Sequence, residues 1–98
     1  ELKKINQAYL INFTAAWCIT CQANDKLALS RPAVKKYLAE NNIEYIVADW
    51  TNRDDNILKV LKEYGRNGVP LYLYWKPGLE ETAILPAILT EDILINSL

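Results

Sequence analysis

The sequence predicts an α/β fold in which a mixed central β-sheet is flanked by helices on both faces. Three observations support this prediction. Short apolar runs of strand length alternate with segments that have helical apolar spacing, in the order β, α (interrupted), β, α, β, β, α. Strand–helix–strand units make their strands parallel, and a hairpin then adds an antiparallel strand. A pair of cysteines, Cys18 and Cys21, follows the first strand directly.

Four strands are predicted from apolar, β-prone runs bounded by turn residues. They span Tyr9 to Phe13, Ile43 to Ala48, Leu71 to Trp75 and Thr82 to Leu85. The second is expected to be buried. The turn Lys76-Pro77-Gly78 is expected to join the last two strands as an antiparallel pair.

The predicted helices run from about Cys18 to Leu29, Pro32 to Glu40 and Arg53 to Tyr64, with a last one starting at Thr90. Ser30 is expected to cap the second helix, acids at Asp54 and Asp55 to occupy the first turn of the third, and Gly65 to end it in a left-handed conformation. Glu1 to Gln7 is interpreted as the end of a further helix. The residues expected to face the core are Leu2, Ile5, Ala23, Leu27, Ala28, Val34, Tyr37, Leu38, Ile57, Val60, Leu61, Tyr64, Ile93, Leu94 and Leu98.

Length and composition indicate one soluble domain. The chain has 98 residues, 51% of them hydrophobic and 23% charged, and its net charge is −1. Nothing in this balance attracts nucleic acid by bulk charge. No apolar run approaches the roughly 18 residues of a membrane span, and no signal peptide opens the sequence. The abrupt start at Glu1 suggests a piece excised from a longer protein.

The two cysteines are predicted to form a redox-active pair. At the amino end of a helix, unpaired backbone N–H groups and the helix dipole favour a thiolate. Residues three apart lie on one helix face, so a disulfide between Cys18 and Cys21 opens and closes with little movement. Cys18, nearer the helix start, is expected to attack as the nucleophile, and Cys21 to resolve the mixed disulfide.

Two other interpretations of the cysteines stay open. An inert structural disulfide is one, although so short a loop restrains the unfolded chain little. Half of a zinc site is the other. The chain has two cysteines and no histidine, so carboxylates or a second chain would have to complete the ligand set.

A Cys-x-x-Cys motif after the first strand of such a unit is typical of a thioredoxin-like fold. In these folds a cis proline before a later strand packs against the dithiol and leaves the preceding backbone free to pair with a substrate. Gly68-Val69-Pro70 stands at that place, so the resemblance assigns this role to Val69 and Pro70. The alternative is a trans proline that only begins a strand.

Several longer motifs are more specific, and they closely resemble the C-terminal domain of the thiol:disulfide interchange protein DsbD family over nearly the whole chain. The matching segments are Trp17-Cys18-Ile19-Thr20-Cys21, Lys26 to Val34, Ala48-Asp49-Trp50-Thr51-Asn52-Arg53-Asp54, Tyr64-Gly65-Arg66, Gly68 to Tyr72 and Leu85 to Thr90.

The resemblance implies a protein-disulfide reductase that relays electrons. The family's periplasmic thioredoxin-like domain takes electrons from the membrane-embedded domain of a bacterial inner-membrane protein and passes them to the N-terminal domain of the same protein. They finally reach disulfide isomerases and cytochrome c maturation proteins. Every step is a thiol–disulfide exchange, so no bound cofactor is expected. A relay has to expose its dithiol to two partners in turn, which predicts a monomer.

Two carboxylates of the family pattern bear on the dithiol. The family commonly places a buried acid six residues before the first cysteine, whereas this chain has Asn12, which is no base at neutral pH. A second family acid matches Asp25, whose charge near Cys18 would disfavour the thiolate. A solvated helix residue is the alternative for Asp25.

The residues around the cysteines are assigned supporting roles. Ile19 and Thr20 replace the Gly-Pro of ordinary thioredoxins and are expected to influence the reduction potential. Trp17 is expected to shield the dithiol and contact partners, whereas Trp50 and Trp75 fit core or edge positions equally well.

Two alternative functions are weighed against the relay. A free-standing thioredoxin-like reductase or cytochrome c maturation factor would act on generic disulfides without a membrane donor. A redox-inactive binding module using the groove around Pro70 would keep its function in a Cys18→Ser variant.

Overall fold

The computed structural model describes residues 5–98 and confirms the predicted α/β fold. A π-helical segment, Asp25–Leu29, continues the first helix. The strands are β1 (Tyr9–Thr14), β2 (Glu44–Asp49), β3 (Leu71–Trp75) and β4 (Ala83–Ile84), and the helices are α1 (Ile19–Asn24), α2 (Pro32–Glu40), α3 (Asp55–Glu63) and α4 (Glu91–Ser97).

The sheet has the order β2-β1-β3-β4. β1 and β2 are parallel, whereas β3 is antiparallel to both β1 and β4, so the sheet is mixed as predicted. Phe13 near the end of β1 pairs with Leu71 at the start of β3. This register places the chain that leaves β1 beside the chain that enters β3, and the cysteines and Pro70 lie in those two segments.

Alternating side chains of the sheet build a core on each face. Tyr72 and Tyr74 point to the face covered by α2, α4 and the π-helical segment, whereas Leu71 and Leu73 point to the face covered by α3. Helices therefore flank both faces, as expected. The first core contains Ala8, Leu10, Ala28, Leu29, Val34, Leu38, Ile43, Tyr72, Tyr74, Leu85, Leu89 and Leu94, and the second contains Phe13, Trp50, Leu61, Leu71 and Leu73.

The boundaries of α2 and β3 agree with the prediction, but the cap of α2 does not. Arg31, in extended backbone conformation, precedes α2 without a side-chain cap, and Pro32 opens the helix. Ser30 instead ends the π-helical segment, where its backbone N–H donates to Asp25 O at 2.7 Å. Ser30 is already committed to the preceding helix and cannot begin the next.

The third helix begins later than predicted. Asp54 is its N-cap, and Asp54 Oδ1 accepts hydrogen bonds from the backbone N–H groups of Asn56 and Ile57 at 2.8 and 3.1 Å. Leu61 is buried, and Ile57, Val60 and Tyr64 pack against its core, as the apolar stripe predicted. Gly65 follows with a φ of 76°, the left-handed terminator that was expected.

The prediction of a buried second strand is wrong. β2 is an outer strand and pairs only with β1 in the described sheet, and each of its residues is half-buried or exposed. Val47 is exposed, and the buried Ile43 lies just before the strand. An edge position explains the difference because one long side of the strand has no neighbour in the described sheet.

Four residues expected in the core are exposed instead: Ile5, Ala23, Leu27 and Ile93. Leu2 and the start of the predicted Glu1 to Gln7 helix lie outside the described residues. In the first helix the inward face follows Cys21 through Asn24 to Ala28, so Ala23 and Leu27 lie on the other side. The polar Asn24 concealed this stripe in the sequence. In α4 the inward residue is Leu94, and Leu98 packs against the same core.

No helix within residues 5–98 is long and apolar enough to cross a membrane. The longest of these helices, α2 and α3, have nine residues each. A helix needs about 20 residues to span the hydrocarbon core of a bilayer.

Candidate redox site

Cys18 and Cys21 form a disulfide at the amino end of α1. Cys18 is the N-cap, with extended backbone angles (φ −89°, ψ 106°), and its Sγ accepts a hydrogen bond from the backbone N–H of Cys21 at 3.1 Å. The two Cα atoms are 5.2 Å apart. The predicted placement of both sulfurs at a helix start is confirmed, and a backbone N–H already points at the Cys18 sulfur.

The disulfide is almost buried. Cys18 is 7% exposed and Cys21 is 2% exposed, so Cys18 is the more accessible of the pair. Both pack with Ala15 in a small cluster of their own, and Val69 packs against that cluster. The roles of Cys18 as the attacking thiolate and of Cys21 as the resolving thiol stay predictions.

The Val69–Pro70 peptide bond is cis, as expected from the resemblance. Val69 contacts the cysteine cluster because the pairing of Phe13 with Leu71 brings the two segments together. Pro70 is half-buried at the entrance to β3. The pairing of Val69 with a substrate backbone stays a prediction.

Trp17, the residue directly before Cys18, is half-exposed. Its exposed fraction is 45%, and its Nε1–H donates to Thr51 O at 2.9 Å. The neighbouring Ala16 N–H donates to Thr51 Oγ1 at 2.8 Å. The loop before the cysteines is thus fastened to the segment that follows β2.

Asp49 organises that segment. Its Oδ1 accepts hydrogen bonds from both the hydroxyl and the backbone N–H of Thr51. The side-chain bond, followed by the backbone bond, holds the pKa of the Asp49 carboxyl below its ordinary value. An ionised Asp49 therefore fixes Thr51, which in turn holds Ala16 and Trp17.

Trp50 connects the same segment to the proline loop. It is buried in the α3-side core, its Nε1–H donates to Asp54 O at 3.1 Å, and its ring lies 5.8 Å from the Trp17 ring. A Cβ at Gly68 would lie 3.3 Å from the Trp50 ring, so the indole packs directly against this glycine. Trp75 is also a core residue and stacks on Tyr9.

These contacts show what the sequence interpretation missed. The segment Asp49 to Arg53 was recognised as part of a family pattern, but no role at the site was assigned to it. In the structure it bridges the loop before Cys18 and the loop before Pro70. Its position directly after a parallel strand was the available signal, because β1 and β2 end at the same edge of the sheet.

Asn12 lies buried on β1. It is 5% exposed, and its Nδ2 donates to Tyr45 Oη at 2.9 Å. Within residues 5–98, Asn12 Oδ1 has no hydrogen-bond partner. The pKa of Tyr45 is raised above its ordinary value. Burial is the main cause, the bond from Asn12 opposes the rise, and the charge of Asp25 adds to it.

Asp25 shares a groove with Asn12. The groove has a volume of about 330 Å³, and Tyr45 and Lys35 also line it. Asp25 lies one helical turn beyond Cys21, and its backbone N–H donates to Cys21 O. Its side chain is exposed, and no hydrogen bond joins it to Cys18 in the described part of the chain. The influence of Asp25 on the Cys18 thiolate stays a prediction.

The two residues between the cysteines differ in exposure. Ile19 is 86% exposed, whereas Thr20 is half-buried. Both lie in the first turn of α1. Ile19 thus adds an apolar side chain to the surface beside Cys18 and Trp17.

Asn24 is a second residue that the sequence interpretation missed. It is buried, its Nδ2 donates to Tyr72 Oη and to Ala87 O at 2.8 Å each, and its Oδ1 accepts from Leu89 N at 3.0 Å. These bonds tie α1 to β3 and to the segment before α4. The pKa of Tyr72 is raised above its ordinary value, because the effect of burial exceeds the lowering by the bond from Asn24.

The comparison with known families agrees with this geometry. A family model described as thioredoxin-like matches residues 1–77. The chain belongs to this thioredoxin-like family, in which paired cysteines at a helix start perform thiol–disulfide exchange.

The predicted resemblance to DsbD is also confirmed. The chain is 26% identical over 94 residues to the thiol:disulfide interchange protein DsbD of Campylobacter jejuni (strain RM1221), a match that covers 96% of this chain. It spans only 16% of the length of that relative.

Solved structures show the same fold. The C-terminal domain of Neisseria meningitidis DsbD in its oxidised form matches with a TM-score of 0.76 and 23% identity, covering 98% of this chain and 82% of the other. A thioredoxin from Thermus thermophilus matches with a TM-score of 0.72 and 15% identity, covering 98% and 74%. The fold is therefore shared by DsbD domains and by a thioredoxin.

Proposed function

We propose that this chain is a protein-disulfide reductase domain that relays electrons by dithiol/disulfide exchange. It takes them from a membrane-embedded domain and passes them to a periplasmic partner domain of the same parent protein. The observation that supports this most is the Cys18–Cys21 disulfide at the start of α1, in a chain similar to DsbD over 94 residues.

Delivery of electrons begins with the reduced pair. The Cys18 thiolate attacks a partner disulfide, forms a mixed disulfide and releases one partner thiolate, which takes up a proton. Cys21 then loses its proton and attacks Cys18 Sγ, which closes the Cys18–Cys21 disulfide and releases the second partner thiol. Two electrons and two protons pass to the partner, and no cofactor takes part.

The backbone of α1 supports this division of roles. The Cys21 N–H that donates to Cys18 Sγ in the disulfide also stabilises a Cys18 thiolate, together with the helix dipole. Cys21, one turn inside and less exposed, is positioned to attack only after Cys18 is bound to a partner. Recharging runs the same steps in reverse, with the membrane-embedded domain as the dithiol donor.

The surroundings of the dithiol receive supporting roles in this proposal. Trp17 shields one side and contacts partners, Val69 and Pro70 flank the other, and Ile19 and Thr20 tune the potential. Asp25 disfavours the Cys18 thiolate, and Asn12, which lines the same groove, is no base and takes no proton from Cys21. The domain acts as a monomer on the periplasmic side of a bacterial inner membrane, and sedimentation showing a tight dimer with buried cysteines would contradict that.

The reduction potential tests this assignment. The domain is equilibrated in glutathione or dithiothreitol redox buffers, and the fraction of Cys18–Cys21 disulfide is measured by thiol labelling, with Cys18→Ser as the control. A reversible two-electron couple below about −200 mV fits a reductase. A couple as oxidising as about −120 mV contradicts it, because such a pair donates disulfides rather than electrons.

A free-standing thioredoxin-like reductase or cytochrome c maturation factor is the second candidate. The similar fold of the Thermus thermophilus thioredoxin favours it. It has the same cysteine chemistry but predicts equal rates with unrelated disulfides. Partner preference, rather than potential, separates the two.

A further inference from the structure

Arg53 places a positive charge over the ring of Trp17, the residue that precedes Cys18. Its guanidinium carbon lies 4.5 Å from the centre of the Trp17 ring and 5.5 Å from that of Trp50. Both distances are within the roughly 6 Å over which a cation is attracted to an aromatic face. The two rings restrict where this guanidinium can lie.

The same guanidinium has no carboxylate partner within residues 5–98. The ion pair found there joins Arg31 to Glu91, and no hydrogen bond from the Arg53 side chain is present in this part of the chain. The nearby acids have other roles: Asp54 caps α3, and Asp49 holds Thr51. Arg53 is exposed, so its N–H donors remain open to a partner.

The location of Arg53 bears on which partners reach the dithiol. Trp17, under the guanidinium, directly precedes Cys18 and is 45% exposed. A polypeptide whose sulfur reaches Cys18 therefore passes close to Trp17 and Arg53. A planar guanidinium held on aromatic rings is suited to bind a carboxylate through two parallel hydrogen bonds, at a reduced cost in side-chain entropy.

We propose that Arg53 is a specificity-determining residue that binds an Asp or Glu side chain flanking the reacting cysteine of the partner. The inference rests on the proposed thiol–disulfide exchange and adds a class of substrate to it, namely protein disulfides bordered by a carboxylate. Arg53 takes no part in the electron transfer itself.

Three disulfide-bonded peptides test this proposal. They are identical except for one residue next to the cysteine, which is Glu, Gln or Lys. The reduced domain is mixed with each, and the second-order rate constant of its oxidation by the peptide is measured at about 20 mM and 500 mM salt. The wild type is expected to reduce the Glu peptide about 5–10-fold faster than the Gln peptide at low salt, as for an exposed charge-assisted contact, and to lose most of this preference at high salt.

Four variants distinguish local binding from other effects. Arg53→Gln is expected to reduce the Glu and Gln peptides at equal rates, and Arg53→Glu to prefer the Lys peptide. Arg53→Lys keeps the charge without the planar fork and is expected to retain part of the preference. The matched control is Lys59→Gln, which removes the same charge from an exposed position on α3 and should behave as wild type.

Several outcomes would overturn the role of Arg53. Equal wild-type rates for the three peptides contradict it without any variant, and they leave thiol–disulfide exchange intact. A loss of preference in Lys59→Gln would show that bulk charge is responsible. An Arg53→Gln variant that slows all three peptides equally would show that the residue only positions Trp17. A wild type that reduces none of the peptides contradicts the proposed function, and this inference with it.

Discussion

The environment of Cys18 and Cys21 differs enough to separate their roles experimentally. Cys18 is the more exposed residue of the two, and its Sγ accepts a hydrogen bond from the Cys21 N–H. A Cys21→Ser variant is expected to accumulate a mixed disulfide with an oxidised partner, because no second thiol releases it. A Cys18→Ser variant should form none. Mass spectrometry under non-reducing conditions measures the adduct, and an adduct in Cys18→Ser but not in Cys21→Ser would reverse the assignment.

An acid introduced at Asn12 tests how burial at this position changes the pKa of a carboxyl group. In an Asn12→Asp variant, burial should raise the pKa of the new carboxyl above its unfolded value of about 4. A group whose pKa is raised in the folded state contributes its full stabilisation at pH values below its unfolded pKa. This stabilisation is lost as the pH rises through the folded pKa. The variant should therefore lose stability between pH 4 and pH 7, by about 1.4 kcal/mol for each unit of pKa shift.

Urea unfolding at both pH values measures that loss for Asn12→Asp. The control is Asn67→Asp, a variant with its new carboxyl at an exposed position, whose stability should change little with pH. A free energy of unfolding for Asn12→Asp that follows the wild type at both pH values would show that the groove solvates the carboxylate well.

At the scale of elements, Asn24 joins parts of the fold that are distant in sequence. An Asn24→Ala variant leaves Tyr72 Oη, Ala87 O and Leu89 N without their bonds to this amide. We expect a loss of roughly 2–4 kcal/mol in the free energy of unfolding, because buried unpaired groups cost about 1–3 kcal/mol each and some will find water.

The matched control is Asn41→Ala, which removes one exposed bond to Tyr37 O and should cost less than about 1 kcal/mol. Denaturant titration of both variants provides the comparison. Equal losses in the two variants would mean that Asn24 does not hold these elements together.

The segment after β2 should loosen in acid. The hydrogen bonds from Thr51 lower the pKa of Asp49 in the folded state. The ionised carboxylate therefore stabilises the segment fully at pH values above the ordinary carboxyl pKa of 3.8, and this stabilisation is lost as the pH falls through the lower folded pKa. The indole N–H of Trp17, which donates to Thr51 O, reports this in an NMR titration. Its resonance should shift below pH 4 in the wild type and stay constant in Asp49→Asn. A shift of equal size in both proteins would assign the transition to another group.

Element boundaries could be predicted from the sequence where local signals were strong. Pro32 and the Asn41-Asn42 pair bracket α2, and five consecutive apolar residues define β3, so both agree with the structure. The errors come from tertiary context. Whether β2 is an edge strand depends on the order of strands in the sheet, and the inward face of α1 is marked by a polar residue that long-range hydrogen bonds satisfy.

The parts of the site that depend on local sequence motifs could also be predicted. The cysteine pair and the cis peptide before Pro70 follow from motifs, and the structure places both as expected. The place of the segment Asp49 to Arg53 at the edge of the sheet where the site lies could be predicted from the parallel strand before it. Its contacts could not, because they depend on side chains of one loop meeting those of two others. The contact between Trp50 and Gly68 is an example that no local pattern contains.

On the scale of the whole molecule, the register of β1 and β3 determines the site. It brings three segments to one edge of the sheet: the cysteine loop, the segment after β2 and the proline loop. Cores on both faces of the sheet support this edge and the dithiol that lies there. A relay between two partners fits this arrangement, because each exchange needs the same exposed edge and little internal movement.

The most direct test of the relay is the rate at which the reduced domain passes electrons to an oxidised DsbD N-terminal domain, compared with unrelated protein disulfides. Stopped-flow fluorescence or acid-quenched thiol labelling follows the transfer. We predict a rate constant for the DsbD partner at least about 100-fold above the others, equivalent to roughly 2.7 kcal/mol of preference. Equal rate constants for all disulfides would contradict the relay and favour a free-standing thioredoxin-like reductase.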